Sequence, residues 1–187
     1  MSTDTPHPAY AVRLQAQGQQ RFLLWQEGEA ARTDSFITWP GSHRLLTAAS
    51  RDDLERLAAR VALPVANRET VSFDIDALLR ALTGLREHRA CSTSTCRHLL
   101  NGWNTLDDLA RSLGVALADG DARDKRRLDK AYQKVFWGNN LPSFTPDGAS
   151  YRPIFVAEER RLMRRHLRAL WRAVVARARG CGSPLVD

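Results

Sequence analysis

The sequence has no long apolar run. Its best stretch, Leu167 to Val175, is interrupted by Arg168 and Arg172, whereas a membrane-crossing helix needs about 20 mostly apolar residues. Met1 to Pro8 is polar, carries Asp4 and lacks the basic flank and apolar stretch of a signal peptide. The expected compartment is therefore the cytoplasm, with no membrane partner. Cysteine is scarce: Cys91, Cys96 and Cys181 are the three. An odd, sparse set does not make a secreted disulfide framework, and reduced thiols suit the cytoplasm. Phosphate-cradling glycine motifs are missing, both G-x-G-x-x-G and G-x-x-x-x-G-K-[ST]. So are internal repeats and low-complexity segments.

What remains is ordinary globular material, 43% hydrophobic and 26% charged over 187 residues. A domain of that size buries roughly 70% of its unfolded surface and supports a core without staples. Charge is distributed unevenly. Residues 1–90 hold 11 arginines against 11 carboxylates, and residues 91–187 hold 17 basic against 10 acidic side chains. The whole excess of +7 thus lies in the second half, which points to an anionic partner.

Strand signals come first. Tyr10 to Gln15 alternates, with Tyr10, Val12 and Leu14 on one face. Gly18 interrupts, and Arg21 to Gln26 follows, so the two runs read as an antiparallel hairpin. Ser35 to Trp39 is a third strand stopped by Pro40-Gly41, Leu45 to Ala48 a fourth, and Thr70 to Phe73 a short extended piece. Helical spacing then takes over. Ser50 caps a helix carrying Leu54, Leu57, Ala58 and Val61, and Asp74 caps another carrying Ile75, Leu78 and Leu82. Three longer helices are expected, over about Thr95 to Leu113, Ala122 to Trp137 and Ala157 to Arg179. The expected fold is α+β: a small N-terminal antiparallel sheet followed by a helical layer of about three longer helices. It forms one domain over 1–187, strand-rich with one helix over 8–62 and helical over 70–180.

Candidate chemistry is sparse. His88-x2-Cys91-x4-Cys96-x-His98 holds four potential zinc ligands, but its spacing fits no paired zinc module, and a loop leading into a helix explains it as well. Asp107 and Asp108 diverge by about 100° on a helix and cannot easily share a ligand. His7, His43, His88, His98 and His166 lie in no nucleophile signature. The expectation is therefore no catalytic residue, no metal and no cofactor. Basic residues are clearer. Arg123 to Arg127, with Lys130 and Lys134, opens one helix. On the last helix Arg161, Arg165, Arg168 and Arg172 are spaced to form one stripe, which serves either as a solvated face or as a dock for an anionic partner.

Two segments stand apart: Leu99 to Ala110, with a Leu-Asn-x-Trp-Asn core at Leu100 to Asn104, and Tyr132 to Pro142, which reads Tyr-x-x-x-Phe-Trp-Gly-Asn-Asn-Leu-Pro. Locally, Gly138 can take positive φ and end its helix, the two asparagines can bond freed backbone groups, and Trp103 and Trp137 read as core anchors. With a Tyr-x-Pro turn at Tyr151 to Pro153 and a closing helix opened by Glu158-Glu159, the order of parts resembles immunity proteins encoded beside contact-dependent growth-inhibition and other polymorphic toxins of bacteria. That resemblance implies a non-enzymatic protein binding a cognate toxin domain; the basic charge of this sequence then sets the Arg161, Arg165, Arg168 and Arg172 stripe against an acidic toxin surface. The alternative expectation, from the +7 charge, is a basic nucleic-acid-binding protein.

Overall fold

The computed structural model describes residues 8–28, 33–116 and 121–186, so most of the polar stretch from Met1 lies outside it. The elements are β1 (Ala9–Ala16), β2 (Gln19–Gln26), β3 (Ser35–Phe36), β4 (Thr47–Ala48), α1 (Arg51–Arg60), β5 (Val65–Asp74), α2 (Ile75–Gly84), α3 (Thr93–Ser112), α4 (Ala122–Gly138) and α5 (Ala157–Gly180). The class is α+β, with an N-terminal sheet followed by three longer helices. No helix among the described residues is long and apolar enough to cross a membrane. The chain divides into two compact units. One comprises Met1–Phe73, Asp107–Ala116 and Ala173–Asp187; the other comprises Asp74–Leu106 and Leu117–Arg172.

The first unit holds the sheet, in the order β3-β2-β1-β5 with β4 also paired to β2. The β1–β2 hairpin closes through Gln17 and Gly18, both at positive φ (53° and 72°), as a tight two-residue turn requires. Its register sets Tyr10 opposite Trp25 and Leu14 opposite Arg21. Strand β1 is buried on both faces. Val12 and Leu14 occupy one face, while Ala9 and Ala11 occupy the other and pack with Leu24, Leu46, Leu54 and Ala58. Helix α1 covers that second face, which is why the alternation expected from Tyr10, Val12 and Leu14 captured only half of the buried set. The third and fourth strands are shorter than their apolar residues suggest. Beyond Phe36 the pairing narrows to the backbone bonds of Ile37 with Leu24 and Leu46 and the Thr38–Leu45 bridge, because the Pro40-Gly41 turn bends the chain, with Trp39 N–H donating to Arg44 C=O at 2.7 Å. Conversely, β5 is longer than the Thr70 to Phe73 expected, the polar Asn67-Arg68-Glu69 having hidden its start.

The second unit is helical. Caps fall where the sequence places them: Ser50 Oγ accepts from Asp53 N–H at 3.1 Å in the first unit, and Asp74 Oδ1 accepts from Ala77 N–H at 2.7 Å in the second. Helices α2 and α3 approach closely at Gly102, where a Cβ would stand 2.6 Å from Leu78 Cβ. The two distinctive segments meet here. Tyr132 packs edge-on against Trp103 with centroids 5.3 Å apart, and its hydroxyl donates to Asn104 Oδ1 at 2.9 Å. Trp103 is a core anchor as expected, at 5% exposure, but Trp137 is 46% exposed. Ala131 and Val135 take the buried face of α4, and Trp137, two residues past Val135, is turned about 200° away from it.

Gly138 also differs from expectation. Positive φ falls on Asn140 (49°), not on Gly138. Glycine is required at 138 for space, since a Cβ there would lie 2.5 Å from Cys96 Sγ and 2.8 Å from Pro153. Asn140 ties down the following chain. Its Nδ2 donates to Thr93 Oγ1, Gly138 C=O and Tyr151 C=O, and its Oδ1 accepts from Tyr151 N–H.

Candidate functional site: the basic face of the last helix

The start of helix α5 is capped from one side. Glu159 Oε2 accepts from Val156 N–H at 2.9 Å, and Arg160 N–H begins the helical ladder on Val156 C=O. The same carboxylate holds Lys134 Nζ at 2.8 Å through both oxygens, and Lys134 also donates to Ile154 C=O. Lys134 is thereby withdrawn from the basic face expected of α4, as is Arg127, which pairs with Glu158. Met163, Leu167, Leu170, Trp171 and Val174 form the buried side of α5, as their spacing predicts, joined by Leu162 and Ala178.

Arg161, Arg165, Arg168 and Arg172 all emerge on the opposite, exposed side. They are not equivalent. Arg165 pairs with Asp124 of α4, and Arg161 reaches Glu158 at 4.0 Å. Among the described residues Arg168 and Arg172 bond only neutral oxygens, Thr83 Oγ1 at 3.2 Å and the Arg168 C=O at 3.3 Å. Uncompensated charge is thus concentrated at the Arg168–Arg172 end. Two further arginines on this helix are structural. Arg160 binds Glu87 at 3.0 Å. Arg164 caps the end of α2 by donating to the carbonyls of Leu82, Thr83 and Leu85. Burial, and then Arg160, Arg168 and Arg86, push the Arg164 guanidinium below its ordinary value.

Two other surface features leave little signal in the sequence. Trp137, Phe144 and Tyr151 are exposed, with Phe136 in ring contact with Trp137 at 5.5 Å and Phe144 at 5.7 Å. The only sequence signal was their density around the Phe-Trp-Gly-Asn-Asn-Leu-Pro segment. The second feature is the chain between α2 and α3, where Arg86 and Arg89 come beside Arg152; three arginines so separated in sequence give no pattern to read.

The cysteine–histidine cluster is split. Cys91 and Cys96 are buried, whereas His88 and His98 are exposed and His88 lies beside Glu87. Among the described residues no group of three or more His, Cys, Asp or Glu is arranged to hold a metal. The two thiols hydrogen-bond, which lowers the pKa of Cys91 and raises that of Cys96. In the first unit Asp108 accepts from Trp25 Nε1 at 3.4 Å and from Arg111 at 2.9 Å. Asp107 makes no hydrogen bond or ion pair among the described residues, and burial pushes its carboxyl up to about 6. A raised carboxyl can serve acid–base chemistry, but its neighbour is committed to a structural bridge and no histidine is paired with it. No family model, curated protein or solved structure matches the chain.

Proposed function

We propose that this chain is a non-catalytic immunity protein that binds and neutralises a cognate bacterial toxin domain in the cytoplasm. The observation that carries the reading is the exposed arginine stripe on α5, a helix whose other side is locked into the core. A rigid helix holds its guanidiniums in place before the partner arrives, which reduces the ordering cost of binding. Complementary charge speeds association and rejects non-cognate toxins. The exposed Trp137, Phe144 and Tyr151 add the aromatic anchors that concentrate binding energy at protein interfaces. The order of the Leu-Asn-x-Trp-Asn and Tyr-x-x-x-Phe-Trp-Gly-Asn-Asn-Leu-Pro segments supports the same reading.

The test is co-expression with the neighbouring open reading frames, scored by rescue of growth and co-purification. A one-to-one complex with a gene product that is toxic alone is expected. Within that complex Arg168→Glu with Arg172→Glu weakens affinity more than Arg161→Glu with Arg165→Glu, because the second pair already has carboxylate partners. Unchanged affinity in both double variants would move the interface away from the stripe, and the absence of any toxic neighbour would end the proposal. The +7 charge favours a second reading, nucleic-acid binding, whose mark is affinity that falls steeply with salt as counterions are released.

A further inference from the structure

The chain between α2 and α3, together with Arg152, encloses a pocket of about 300 Å³ whose lining includes Arg86, Arg89, Cys91, Ser92 and Thr95. Three guanidiniums border it, and none of the three makes a hydrogen bond or ion pair among the described residues. More positive charge lies close by, since Arg86 is near enough to Arg164 to depress its pKa, alongside Arg160 and Arg168. Glu87, the carboxylate in this stretch, is already held by Arg160 at 3.0 Å. The pocket also contains the start of α3. Ser92 Oγ accepts from Thr95 N–H at 3.1 Å and lies 2.8 Å from Thr95 Oγ1, and the positive end of a 20-residue helix dipole falls at the same place.

Arg86, Arg89 and Arg152 are exposed and without an anionic partner among the described residues, so their charge at the edge of a polar recess is available to a ligand of the opposite sign. Guanidinium forks match phosphate oxygens two at a time, and hydroxyls and helix-start amides complete such a shell. The volume is at the lower end for small-molecule sites, which leaves room for a phosphoryl group and a small organic body. We infer that this pocket binds phosphate monoesters, or inorganic phosphate, through Arg86, Arg89 and Arg152. This binding is independent of the toxin-binding proposal.

Calorimetric titration of the full chain at low ionic strength, with inorganic phosphate, glucose 6-phosphate and glucose, tests the assignment. The two phosphorylated probes bind saturably at one site and glucose does not. Arg89→Gln and Arg152→Gln each weaken phosphate binding about tenfold, the loss of one charge-assisted contact, while Arg126→Gln on α4 leaves it unchanged. If a glutamine variant loses its circular-dichroism signature, Arg89→Lys and Arg152→Lys replace it; each keeps the charge but loses the bidentate fork and still weakens binding. Four results overturn the inference: no saturable phosphate binding, equal weakening by Arg126→Gln, full affinity in every pocket variant, or an oligonucleotide binding equally with and without its 5′-phosphate.

Discussion

Asp107 provides a direct measure of how well the first unit shields a charge. Burial, which disfavours the anion, pushes its carboxyl up to about 6 from an ordinary value of 3.8; Arg111 opposes the shift and Asp108 adds to it. Between those two pH values the folded chain keeps a proton that the unfolded chain has released, so stability declines as pH rises through this window and stays reduced above it. A shift of that size corresponds to at most about 3 kcal/mol. Because the group keeps some access to solvent, about 1–2 kcal/mol is the realistic cost. Asp107→Asn removes the charge while keeping the shape. It should therefore raise unfolding free energy by about 1–2 kcal/mol at pH 8 and by nearly nothing at pH 4, with the difference growing between pH 4 and about 6. Urea unfolding of parent and variant across this range gives the comparison; the contribution of His166 cancels because both chains share it, while relief of the Asp107–Asp108 repulsion adds to the gain of the variant. A pH-independent difference, or a variant less stable at pH 8, would refute the reasoning.

Two further perturbations probe the second unit. Gly138→Ala places a methyl group 2.5 Å from Cys96 Sγ and should cost about 1–3 kcal/mol as overpacking; adding Cys96→Ala should recover part of that loss in a thermal or urea melt. Asn140→Ala removes four hydrogen bonds and leaves alanine at φ 49°, for an expected loss of about 2–4 kcal/mol. Asn140→Gly relieves the backbone and should be about 1 kcal/mol less damaging than Asn140→Ala.

Much of this architecture was legible in the sequence because local chemistry dictates it. Ser50 and Asp74 cap helices through their own side chains, and Gly114, at φ 64°, ends α3 where glycine is the natural stop. The five-residue stretch at Arg161 to Arg165 shows both the power and the limit of periodicity. Spacing put Met163 inside and Arg161 and Arg165 outside, yet it could not show that Asp124, 41 residues away, neutralises Arg165 while Arg168 keeps its charge. Trp137 was misjudged because apolarity alone does not say which face of a helix is covered. The pocket between α2 and α3 escaped notice because Arg152 joins Arg86 and Arg89 only through the fold.

The first unit draws on strands near residue 10 and on chain beyond residue 173. Ser183 Oγ donates to Leu45 C=O across 138 residues, and Leu185 and Val186 are buried beside it in sequence. On the ribosome the sheet therefore emerges long before the segment that completes its unit. At about 5–20 residues per second, the strands wait on the order of seconds with apolar surface uncovered. The second unit has all of its chain by Arg172 and is free to form first. Contacts between such distant partners also carry a large loop-closure cost, which slows folding. A chaperone that shields β1 and β2 during synthesis should therefore raise the yield more than one acting on the helices.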